Sequence, residues 1–130
     1  MATAAVDGFR RVALAHPALY RLVFLDQGPD AGALRRESGA EAFGRLETLL
    51  HRALADARGG EGGTRRAIPS ATVRQAALAV HSLTEGLATV DLRGGLGADR
   101  AARAVWRSAV TALVRGYAAA ASDRARQPPG

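Results

Sequence analysis

Thirty of the 130 residues are alanine, whereas the β-branched residues that favour strands come to nine valines, seven threonines and one isoleucine. Alanine is the best helix former, and a pleated sheet needs the side chains this chain lacks. The composition therefore predicts an all-α fold. Leu, Val, Ile and Phe together number 28, so the core must be built from leucine and valine with alanine at close helix contacts. A chain of this length fits one domain and buries roughly two-thirds of its surface, enough for one core without staples.

Cysteine is absent, which excludes disulfides, thiolate zinc sites and cysteine nucleophiles. No apolar run reaches the ~20 residues needed to span a bilayer. Asp7, Arg10 and Arg11 interrupt any secretory layout at the N-terminus. A cytoplasmic protein with no membrane contact is expected. All 18 basic residues are arginine, and the net charge is +6. That excess is dispersed, and arginine alternates with Asp and Glu along the helices, the usual look of a solvated face. Direct nucleic-acid binding through the arginines is a competing reading, with steeply salt-dependent association as its signature.

Apolar spacing predicts five helices. The first covers 3–15 and is stopped by His16-Pro17, because the residue before proline avoids the helical region. A short apolar helix follows over 17–25, then a turn cluster at 26–30. The third runs from near Ser38 to Ala57, with Phe43, Leu46, Leu50 and Ala53 along one face. Ser70 is the expected N-cap of a fourth helix reaching Leu92. Its apolar stripe, Val73, Ala76, Val80, Leu83, Leu87 and Val90, steps 3, 4, 3, 4, 3 as a heptad seam does. Gly94, Gly95 and Gly97 close it. The last helix spans 99–122, with Trp106, Val110, Leu113 and Tyr117 on one face. Residues 1–122 are expected to form the domain, and 123–130 a flexible tail.

Two segments carry a family resemblance: Ala15-His16-Pro17-Ala18-Leu19-Tyr20-Arg21-Leu22-Val23-Phe24, and the helix from Ala79 to Leu92. In that order and spacing, they resemble the C-terminal regulatory domain of TetR-family transcriptional regulators, in the branch with a Trp-…-His-Gly signature on the second-to-last helix. Here His81 stands at the Trp position and Glu85 at the His position, and Gly86 is retained. The resemblance implies a five-helix bundle whose last two helices pair with those of a second subunit in a four-helix homodimer interface. It also implies a cavity for a small hydrophobic effector. DNA would be reached only through an N-terminal helix-turn-helix domain, which no part of this chain resembles. Two long amphipathic helices with more apolar surface than a small domain can hide point independently to association.

His81, Thr84 and Glu85 share a side of the fourth helix rotated away from the heptad seam. A polar group of this kind suits a pocket with a few orienting residues. The alternative is an i,i+4 His–Glu contact at a wet surface. Phe9, Tyr20, Phe43 and Leu46 are candidate cavity walls or ordinary core. Val80, Leu83, Leu87, Val90, Trp106, Val110, Leu113 and Tyr117 are the candidate dimer residues, with core packing as the alternative for the aromatic pair. Gly86 in mid-helix marks a close helix approach or a ligand near the backbone. His81 and Glu85 have metal-ligand spacing, with His16 and His51 as conceivable partners, but two ligands do not make a site and no metal or other cofactor is expected. No nucleophile elbow, phosphate loop or paired carboxylates occur, so an enzyme is not expected. The leading function is ligand sensing and dimerisation. Its alternative is a standalone helical protein that pairs with intact regulators and holds them off DNA.

Overall fold

The computed structural model describes residues 2–18, 32–58 and 67–126, and these form four long helices with no strand among them. They are α1 (Ala2–Ala15), α2 (Gly32–Arg58), α3 (Ser70–Leu92) and α4 (Asp99–Arg126). The all-α expectation holds at that level. Pro17 and Ala18 are helical, but the rest of the short helix expected over 17–25 lies outside the described residues. Helix α1 ends at Ala15, directly before His16-Pro17, where the steric effect of proline places the stop.

Two helices are longer than their sequence signals. Helix α2 begins at Gly32 rather than near Ser38, because Ala33-Leu34-Arg35-Arg36-Glu37 are all good helix formers and continue the helix through Ser38 and Gly39. Helix α4 continues past Ser122 to Arg126, with Arg126 paired to Asp123 in its last turn. Ser70 is not the N-cap of α3. Pro69 holds that position with no side-chain capping bond. Its carbonyl accepts the N–H groups of Thr72 at 3.0 Å and Val73 at 3.2 Å, so the backbone alone closes the first turn.

Helices α3 and α4 form an antiparallel hairpin around a glycine turn. Gly94 and Gly97 have φ of +73° and +79°, a region glycine enters without steric cost. A Cβ at Gly95 would stand 2.7 Å from Val90 Cγ1, so the turn also needs glycine for closeness. Helices α1 and α2 each pack on both members of the hairpin. The centre holds Leu54 and Trp106, both fully buried, with Ala76, Ala77, Ala88 and Ala102 equally closed to solvent. Alanine at these contacts lets helix axes approach closely, which is how an alanine-rich chain reaches a dense core.

The buried line on α3 departs from the heptad seam. Val73, Ala76 and Val80 are buried as expected, but the line continues through Thr84 and Ala88, while Leu83 and Leu87 are half-buried and Val90 is 43% exposed. A straight helix of 3.6 residues per turn drifts off a 3.5-residue seam by about 20° per heptad. Beyond Val80, that drift turns the leucines outward. Gly86 is exposed, and a Cβ there would meet nothing within 4 Å. Among the described residues it marks no close helix approach.

Candidate functional site

Because α1 and α2 both rest on the hairpin, a groove opens between them. It has a volume of about 370 Å³. Val80, Val110 and Val114 form its floor, Ala5 and Val6 of α1 one wall, and Leu46, Leu49, Leu50 and Ala53 of α2 the other. Thr111, Asp56 and Arg115 add the polar groups. Helical periodicity explains the α2 wall: residues 46, 49, 50, 53 and 57 recur every three or four positions and so share one side.

Of the residues expected from sequence to line a cavity, Leu46 lies in this groove. The other described ones do not meet there. Phe9 packs against Trp106 with ring centroids 6.0 Å apart, inside the α1–α4 contact. The Phe43 and His81 rings stand perpendicular with centroids 6.4 Å apart, and the Arg74 guanidinium lies 5.9 Å from the Phe43 centroid. His81 Nε2 is 3.1 Å from Glu85 Oε1, with both side chains half-buried. This polar group therefore sits along the α2–α3 seam, on the outside. Thr84 is buried, and its hydroxyl lies 2.9 Å from the carbonyl oxygens of Val80 and His81, donating within its own helix. Tyr20 lies outside the described residues. Among the described residues, no three His, Cys, Asp or Glu side chains gather so as to hold a metal ion, and no helix is long and apolar enough to cross a membrane.

A model of the tetracyclin repressor-like C-terminal domain matches residues 2–113. The chain belongs to this family. Among curated proteins and among solved structures, no match is found. TetR-like C-terminal domains are regulatory rather than catalytic.

In this TetR-like domain the candidate dimer residues divide between the inside and the outside. Val80, Trp106 and Val110 are buried within the chain, Trp106 completely. Leu83, Leu87, Leu113 and Tyr117 are half-buried, and Val90 is exposed. Val105, at 38% exposure, adds to the apolar surface of α4.

Sequence reasoning missed the most heavily bonded buried group. Arg10 is only 7% exposed. Its Nε donates to Asp91 Oδ2 at 2.7 Å and its Nη1 to Asp99 Oδ1 at 2.8 Å. Trp106 Nε1 donates to the same Asp91 oxygen at 2.9 Å. The bond to Asp91, then that to Asp99, raise the Arg10 pKa above the ordinary arginine value. Asp99 is held below the usual aspartate range by the Arg103 hydrogen bond first and Arg10 second. One turn earlier on α1, Asp7 pairs with Arg107, which lowers the pKa of Asp7 and raises that of Arg107. A signal was present. Arg10 interrupts the stripe Val6–Phe9–Ala13, and Asp91 follows Ala88 on the buried side of α3, so two opposite charges occupy positions that periodicity assigns to the core.

Proposed function

We propose that the chain is the effector-sensing and dimerising half of a TetR-type transcriptional regulator, acting in the cytoplasm as a homodimer. The groove between α1 and α2 receives a small hydrophobic effector. The carrying observation is an apolar groove of about 370 Å³ in a domain of this family, a size within the roughly 300–1,000 Å³ typical of small-molecule sites. Half-buried Leu83, Leu87, Leu113 and Tyr117 on the hairpin supply the face that pairs with a second copy. DNA is read by a separate helix-turn-helix domain.

Mechanistically, the effector acts through α1, whose Ala5 and Val6 form one wall. It shifts the regulator only to the extent that it binds one placement of α1 more tightly than another. The test is thermal unfolding of the wild-type chain and of Ala53→Trp, which fills the groove, against a panel of small apolar and aromatic compounds. A compound present at a hundred times its Kd stabilises by about 2.7 kcal/mol, and that gain should vanish in Ala53→Trp. Failure of every compound to stabilise the wild type, or equal stabilisation of Ala53→Trp, overturns the proposal.

A further inference from the structure

The groove is apolar along most of its length, but Asp56 and Arg115 both line it. Both are exposed, so they stand at its rim. Neither has an ion-pair or hydrogen-bond partner among the described residues, and they do not pair with each other. The rim thus presents a guanidinium that can only donate and a carboxylate that can only accept. Their charges cancel. A ligand with a net charge gains from one residue and is repelled by the other. A head that carries an acceptor and an N–H donor side by side gains from both.

We infer that the groove takes a neutral amphiphile, its apolar tail between α1 and α2 and its carboxamide-type head across Arg115 and Asp56. This assignment rests on the reading of the groove as the effector site and adds the chemical class of the effector. The tail seat is Leu46, Leu50, Ala53, Val110 and Val114. Thr111, one turn before Arg115 on α4, adds a hydroxyl on the same side. Charges at a wet rim select among ligands more than they add affinity, so the tail supplies binding and the head supplies choice.

Isothermal titration at pH 7 with three probes of equal chain length, octanamide, octanoate and octylamine, tests this, with toluene as a tail-only probe. Octanamide is expected to bind the wild-type chain at least about fivefold more tightly than either charged probe. Asp56→Asn should shift the preference toward octanoate, and Arg115→Gln toward octylamine. Both substitutions are at exposed positions, and Trp106 fluorescence checks that each variant is folded. If either charged probe binds the wild type as tightly as octanamide, or the two variants keep the wild-type order, the head assignment is overturned. Toluene binding without a preference for octanamide overturns the head alone. Failure of toluene and octanamide alike removes the groove itself as a ligand site.

Discussion

Replacing Asp91 with alanine strands two donors at once. One carboxylate oxygen, on a side chain 7% exposed, accepts from both Arg10 Nε and Trp106 Nε1. Without it, the indole N–H of a completely buried tryptophan has no acceptor, a loss of about 1–3 kcal/mol. Arg10 keeps Asp99 at 2.8 Å, but that carboxylate is 59% exposed and is shared with Arg103. The guanidinium is then buried and undercompensated. Removing one member of a buried pair costs about 3–5 kcal/mol, and Asp91→Ala should fall in that range, because Asp99 retains part of the pairing while Trp106 adds its own loss. This is a large share of the 5–15 kcal/mol that about holds a domain together. Urea unfolding followed by the fluorescence of Trp106, the single tryptophan, reads the change as a lowered midpoint. Arg10→Met should also destabilise, by leaving Asp91 buried without its cation. The double variant Arg10→Met/Asp91→Asn removes both charges and keeps an acceptor for the indole, so it should be more stable than Asp91→Ala and Arg10→Met. A loss under about 1 kcal/mol for Asp91→Ala would refute the reasoning, as would a double variant no more stable than the two single ones.

Further predictions concern acid, the turn, a helix interior and the outer face. Asp7 and Asp99 have lowered pKa values in the folded state, so their contribution is complete above the unfolded value and is lost as pH falls through the folded one. On their account, stability measured by urea midpoint should be level from pH 7 to 5 and decline below about pH 4; a maximum below that pH contradicts the pairing. Gly95→Ala places a Cβ 2.7 Å from Val90 Cγ1 and should destabilise by about 1–3 kcal/mol, read by thermal unfolding. Gly39→Ala, where a Cβ meets nothing within 4 Å, should instead raise stability by about 0.5–1 kcal/mol. Leu87→Glu puts a charge on the half-buried outer face of α3 and should give a monomer in sedimentation equilibrium; an unchanged dimer mass would remove that face from the interface.

Local signals in the sequence located the hairpin well. Pro69 and the glycines after Leu92 bracket α3 at 70–92 because both act through backbone sterics, which need no tertiary context. The start of α2 was hidden, since Ser38 and Gly39 look like an entry signal while the residues before them are helix formers. The groove was nearly invisible: Leu46, Leu50, Ala53, Val80 and Val110 each stand on an apolar stripe, but the lining comes from four helices and no single stripe shows that they converge. His81 and Glu85 were legible as an i,i+4 pair, but their neighbours on α2 decide which way they face. Arg10 and Asp91 lie 81 positions apart, and periodicity marks each as misplaced without naming its partner.

Arg10 touches the last turn of α3 through Asp91 and the first residue of α4 through Asp99. One planar guanidinium thus gauges the distance between the two ends of the glycine turn. Loop lengths elsewhere in a helical bundle are free to vary at little cost, but an insertion or deletion in 92–98 would move one carboxylate off the fork and leave the cation half-served. The turn therefore has a fixed length as well as a fixed conformation, and a residue from α1, near the beginning of the chain, sets it.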